Sequence, residues 1–356
     1  MKLLDFVDFT TIIDFKGLWM TSSAMILEEQ ASHGKPQVRN TPFTGPIAWS
    51  RDSLNPEDGV IKLSRACRTE LDRLVETLRA NPLPTLLLEA DEFELPACRQ
   101  IMSDAKQMLE AGPGFVIIDR LPVQTYTVEE ARAVYWLLSQ LVARPVSQSW
   151  DGKMIYDVRD SGRPPGNGVR PDITNAEQNF HTDNSYNLYP PDYVALLCLK
   201  PAMEGGVSSI VSFYTVYNEM LKRNPDLLPR LYRPYLFDRQ REHAPDDATV
   251  ISHPLFQDVG GKLVCRLSHR HVVNGYAMAQ IAMDDETNEA LEVLEAIMRE
   301  PQWCREFFFE PGQIQIVDNT RCGHRRTAFV DFPEQERKRH LIRLWLRSEG
   351  RRFYNG

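Results

Sequence analysis

Apolar residues recur with two different periods along this chain, and the change from one to the other falls near its middle. Before about residue 150 the period is helical. VIKLSRACRTELDRLVETL and LPACRQIMSDAKQMLEAG carry apolar positions three and four residues apart, and a glycine stops the second. TVEEARAVYWLLSQLVA opens on Thr127 with Glu130 three residues later, the pattern of a capping box. Just ahead of it GFVIIDRLP, a short apolar run ended by proline, predicts a buried strand. From Met154 onward strands dominate: KMIYDVRD, YVALLCLKP, VSSIVS, KLVCRLS, QIQIVDN and HLIRLWLR. Two helical stretches interrupt them, FYTVYNEMLKRNPDLLPRLY and ETNEALEVLEAIMRE.

Helices first and many strands afterwards predict an α+β fold with a sandwich or barrel of strands, not alternating βαβ units. No GxGxxG or Walker loop argues otherwise. The first 55 or so residues lack periodicity and read as an arm over the body. The division expected is 1–113 for the arm and helices and 114–356 for the strand-rich domain, forming one structural unit. Residues 159–178, RDSGRPPGNGVRPDITNAEQ, also lack periodicity. So long an irregular stretch inside a compact domain is either disordered or a functional cover.

Composition changes this picture little. Hydrophobic residues at 42% and charged residues at 25% are ordinary globular values. A net charge of −8 argues against nucleic acid or an anionic membrane as partner, since phosphate binding is chiefly cationic. No apolar run approaches a membrane span, and the N-terminus, with acids inside its apolar stretch, does not read as a secretory signal. None of the six cysteines forms a CxxC pair, which favours buried thiols and a cytoplasmic location.

The candidate chemistry starts in NFHTDNSYN. His181 and Asp183 are separated by one residue. In an extended segment they would project to one face, roughly 6.5–7 Å apart at Cα, so imidazole and carboxylate could meet on one ion. A loop histidine beside a turn aspartate is the plainer reading of the pair alone. QIQIVDNTRCGHRRTAF then supplies His324 after a strand and a polar turn. Two histidines and one carboxylate are the facial triad of non-haem Fe(II) oxygenases, with three positions left open. In RKRHLIRLWLR, alternation puts Arg339, Leu341, Arg343, Trp345 and Arg347 on one face. That face is either a solvated basic surface or a wall of the site, where a guanidinium would clamp a dicarboxylate. His269 and His271 in SHRHVV form a rival pair without a nearby carboxylate.

The set HTD, GGVSS, DNTRCGH and RHLIR resembles the TauD/TfdA-like family of Fe(II)- and 2-oxoglutarate-dependent dioxygenases, from Gly114 to Arg347. The resemblance implies a double-stranded β-helix, a cupin-like jelly roll, with flanking helices. It implies Fe(II) on His181, Asp183 and His324, and 2-oxoglutarate as co-substrate with its C5 carboxylate on Arg339 and a hydrogen bond from Ser208. Asp318 and Asn319 match a DN dipeptide typical of the family six residues before the second histidine. The implied reaction is oxidation, by default hydroxylation, of an unactivated C–H bond of a small molecule by O2; desaturation or cyclisation, or a catalytically silent metal-binding jelly roll acting as a sensor, are the alternatives. Arg343, four residues after Arg339, falls where several relatives meet an anionic group of the substrate. Tyr186 and Asn179 flank the HTD motif and are further candidates for substrate contact. The sequence leaves room for a homo-oligomer.

Overall fold

The structure, a computed structural model, describes residues 38–164 and 169–355. Residues 1–37 of the expected arm and 165–168 of the expected cover lie outside the described residues. The main strands, in chain order, are β1 (Val60–Lys62), β2 (Phe115–Asp119), β3 (Arg144–Val146), β4 (Tyr156–Val158), β5 (Gln178–His181) and β6 (Tyr193–Lys200). They continue with β7 (Ser208–Ser212), β8 (Cys304–Phe307), β9 (Ile314–Asp318), β10 (Cys322–Arg326) and β11 (His340–Arg347). A seven-stranded sheet runs β1-β2-β9-β6-β11-β3, with β4 also on β11, and a four-stranded sheet runs β8-β7-β10-β5. The pairings are antiparallel except for β1 on β2. The two sheets form the halves of a double-stranded β-helix, with Val194, Val317 and Trp345 of the large sheet in one core with Phe180 and Ile210 of the small one.

The helical layer covers the outer face of the large sheet. In α1 (Arg65–Ala80) the buried residues Cys67, Leu71, Leu74 and Val75 make one stripe, and Ser64 caps the helix by accepting from the Cys67 N–H. Helix α2 (Pro96–Ala111) begins with proline and ends at Gly112. Helix α3 (Val128–Gln140) has the expected capping box, with Thr127 and Glu130 exchanging bonds of 3.2 and 2.8 Å. These stripes bury Ile342, Leu344 and Leu346 of β11 beneath them. The central strand β6 is buried on both faces, which explains its unbroken apolar sequence.

Three elements differ from the periodicity. VIK in the first helical stretch is strand β1, held parallel to β2, and the helix begins only after the Ser64 cap. FYTVYNEMLKRNPDLLPRLY is divided: α4 (Phe213–Arg223) stops before Pro225, and a separate turn of helix occupies Leu228–Leu231. HRHVVNGYAMA, left without an element in the sequence, is α5 (His269–Ala279), capped by Ser268, and it precedes α6 (Asp285–Arg299). The arm enters the core where it is described, with Phe43, Ile47 and Trp49 buried. All six cysteines are buried and free. Among the described residues no helix is long and apolar enough to cross a membrane.

Candidate active site

The register of the small sheet creates the first contact. His324 on β10 lies directly opposite His181 on β5, and the two rings are 4.3 Å apart at their centroids. Strand β5 ends at His181, so Asp183 does not project along an extended run as the spacing suggested. It comes from the turn that follows. That turn is held from across the barrel by Asn319, whose side chain accepts from the Asp183 N–H (2.8 Å) and donates to the carbonyls of Asp183 (3.0 Å) and Pro191 (3.1 Å). Asp318 fixes the same corner from the other side, accepting from Thr320 and pairing with Arg321 at 2.6 Å. The DN dipeptide is therefore the clamp that delivers the carboxylate. Asn319→Ala removes three bonds and strands a buried N–H, which should cost about 2–4 kcal/mol in denaturant unfolding and weaken metal binding in parallel.

The three side chains converge. Asp183 Oδ1 lies 3.3 Å from His181 Nε2 and 3.4 Å from His324 Nε2, and the potential ligand atoms all fall within 4.8 Å of one another. His181 Nδ1 is 2.8 Å from the Asn179 carbonyl, which fixes that nitrogen as the donor and turns the other toward the cluster. Asp183 Oδ2 accepts from Trp345 Nε1 at 2.6 Å and faces Arg343 Nη1 at 3.2 Å. Burial alone would raise the Asp183 pKa, but Arg343 and the two imidazoles outweigh it and hold the carboxyl well below its ordinary range. Burial and the neighbouring His181 push His324 down, against Asp183, and so favour the neutral form that binds metals. His324 Nδ1 is buried without a partner.

Beside the triad is a cavity of about 40 Å³ that Ser208, Arg339 and Arg343 also line. Arg339 is only 5% exposed, and its Nη1 has no partner. Among the described residues it makes no ion pair; its guanidinium lies 5.0 Å from the Phe329 ring centre. Burial pushes this guanidinium down to about 10. Gly206, with φ at +67°, brings the backbone against it: a Cβ there would sit 3.6 Å from Arg339 Nε. Ser208 Oγ donates to Gln315 Oε1 at 2.9 Å.

The structure places the substrate candidates less uniformly. All three nitrogens of Arg343 face protein acceptors: Asp183, Asp172 at 3.1 Å, and Gln148 at 2.9 Å. The solvated reading of the β11 arginines fails, because the whole strand is buried. Tyr186 packs in the core with its hydroxyl 3.0 Å from that of Tyr354 and its ring edge against His271. Asn179 lines a second cavity of about 170 Å³ on the other side of His181, with Gln178, Ser268 and His271. The rival pair diverges, His269 pairing with Glu292 and His271 turning to Tyr186. Asp172, Gln148 and Arg326 were not singled out from the sequence. Asp172 lies in the aperiodic stretch, where nothing indicates which acid turns inward.

A jelly roll carrying two histidines and an aspartate at one end defines a metal-dependent oxygenase architecture. Residues 79–345 match the family "Taurine catabolism dioxygenase TauD, TfdA family", and the chain belongs to it. FR-33289 synthase of Streptomyces rubellomurinus is 28% identical over 324 residues, covering 89% of this chain and 94% of that protein. Taurine hydroxylase-like protein SAT17 of Stachybotrys chartarum is 24% identical over 313 residues, covering 84% of this chain and 78% of that protein. The fold is shared with asparagine oxygenase, solved with Fe(II), a hydroxyasparagine and succinate (TM-score 0.60, 17% identity, 82% of this chain and 94% of that one). It is shared equally with the non-haem iron oxygenase OrfP, solved with Fe and alpha-ketoglutaric acid (TM-score 0.59, 16% identity, 82% and 94%). The protein is thus an oxidoreductase of the dioxygenase type.

Proposed function

We propose that this dioxygenase uses Fe(II) and 2-oxoglutarate to hydroxylate an unactivated C–H bond of a small molecule, releasing succinate and carbon dioxide. The observation that carries the reading is a His-Asp-His cluster, its carboxylate held ionised, next to a buried arginine that makes no ion pair among the described residues. The donor set suits iron: two imidazoles and one carboxylate, with the His324 Nδ1 unpartnered and the carboxylate held ionised. His181, Asp183 and His324 would hold the metal. Bound iron would supply dioxygen activation coupled to oxidative decarboxylation of the co-substrate.

The chain's own residues do the rest. Arg339 offers a planar fork to the C5 carboxylate, and Ser208 adds a hydrogen bond. Trp345 and Arg343 fix the orientation of Asp183 by holding its second oxygen. Arg343 could receive a substrate anion only by exchanging it for Asp172. The second cavity, with Asn179 and Gln178 in its wall, is the side from which a substrate would approach His181; Tyr186 supports that wall through His271. We place the enzyme in the cytoplasm, in keeping with its buried free thiols.

Anaerobic titration should give one Fe(II) per chain, and admission of oxygen with 2-oxoglutarate should yield succinate. Iron-loaded protein that neither binds 2-oxoglutarate nor forms succinate would overturn the reading. Testing candidate small molecules for increased succinate release then identifies the substrate.

A further inference from the structure

Arg326 has no part in the reaction as described, yet it lies in the same cavity as the triad. It follows His324 by two residues on β10, so the strand period carries both side chains to one face. The register sets it opposite Ser208 on β7 and Gln178 on β5. It is 7% exposed. Its contacts are all to neutral groups: Nη1 donates to the Thr174 carbonyl at 3.1 Å, Nη2 to the Ala176 carbonyl, and Nε has no partner. Its guanidinium lies 4.7 Å from the Phe329 ring centre, and that of Arg339 lies over the same ring.

Two like charges thus share one ring and one cavity. Neither forms an ion pair with the lining acids, because Asp172 and Asp183 both pair with Arg343; Asp172 and Asp160 act on Arg326, and Asp331 on Arg339, only at longer range. Arg325, on the same wall, is matched by Glu306. Buried cations without an anion are costly, and an incoming carboxylate with two oxygens can face both guanidinium groups. The far side of Arg326 grips the backbone at Thr174 and Ala176, just after the turn Pro171–Ile173 that carries Asp172.

We propose that Arg326 is a second arginine of the 2-oxoglutarate site and a positioning residue. It pairs electrostatically with the distal carboxylate and, through the carbonyls of Thr174 and Ala176, ties co-substrate occupancy to the segment covering the metal. This rests on the reading of the cavity as a 2-oxoglutarate site. With the anion present, Arg326 and Arg339 no longer repel, and the grip on the two carbonyls tightens.

The test uses the full chain loaded with Fe(II) under anaerobic conditions, with 2-oxoglutarate as the probe. Calorimetry gives the affinity, and hydrogen exchange gives the protection of residues 171–178 with and without the probe. In the unaltered protein 2-oxoglutarate should bind and slow exchange there. Arg326→Gln, which keeps donors but loses the charge, should weaken binding about tenfold or more and abolish the probe-dependent slowing. Arg326→Lys should recover part of the affinity but not the protection, since a single ammonium cannot span two carbonyls as the fork does. Unaltered affinity in Arg326→Gln, or probe-dependent protection persisting in it, would overturn the inference. An unaltered protein that fails to bind 2-oxoglutarate would overturn the reading of the site itself, and this inference with it.

Discussion

Arg339→Leu should raise the KM for 2-oxoglutarate about a hundredfold while leaving the unliganded protein as stable as before, or more so. The combination of signs is the informative part. A charge-assisted bidentate pair contributes about 1.5–3 kcal/mol, and its loss appears in KM. Arg339, however, has no ion-pair partner among the described residues, and its Nη1 is orphaned in a buried position. Replacing such a group with an apolar side chain of similar volume removes a desolvation cost from the empty protein. Arg339→Lys should recover only part of the affinity. A lowered melting temperature with unchanged KM would assign Arg339 to the scaffold instead.

Asp183→Ala should abolish stoichiometric iron binding and also destabilise the apoprotein by about 3–5 kcal/mol, because Arg343 loses one anion and the Trp345 N–H loses its acceptor in a dry interior. His181→Ala should abolish iron binding with a much smaller loss of stability, since its side chain is 13% exposed at the rim and its Nδ1 bonds only to a nearby backbone carbonyl. Iron titration and denaturant unfolding on both variants separate ligand from scaffold; equal stability losses would contradict this assignment. The Asp183 contribution has a definite pH window. Its folded pKa lies below the ordinary 3.8, so the stabilisation is complete above that value and is lost as the pH falls through the folded pKa.

That His181, Asp183 and His324 come together was legible in HTD and DNTRCGH, though not through the alternation read for the first pair, since Asp183 comes from the turn after β5; faces within a strand were legible because alternation is local. His324 and Arg326 share a face, as do Arg343 and Trp345, wherever the strands lie in space. The helical stripes of α1 and α2 were legible for the same reason. What remained hidden was long-range. VIK has nothing to distinguish it from the helix after it except its partner β2, 55 or so residues onward. Asp172 and Arg170 are equally polar in sequence, and only the fold turns one to Arg343 and the other to Glu242. Arg343 itself shows the limit most clearly: its face was predictable, but the two acids and the amide that surround its guanidinium were not.

Strand β11 gives this protein two duties in one segment. Ile342, Leu344 and Leu346 answer to the helical layer, whereas Arg343 and Trp345, interleaved with them, answer to the metal carboxylate. Alternate residues of one short segment therefore meet unrelated partners. A change in the helical layer meets the even positions first, whereas a change at Arg343 or Trp345 meets the metal carboxylate, and at Trp345 the inner core as well. In a mutagenesis library built on this strand, substitutions at Ile342, Leu344 and Leu346 should lower expression yield alone, whereas those at Arg343 and Trp345 should lower turnover as well.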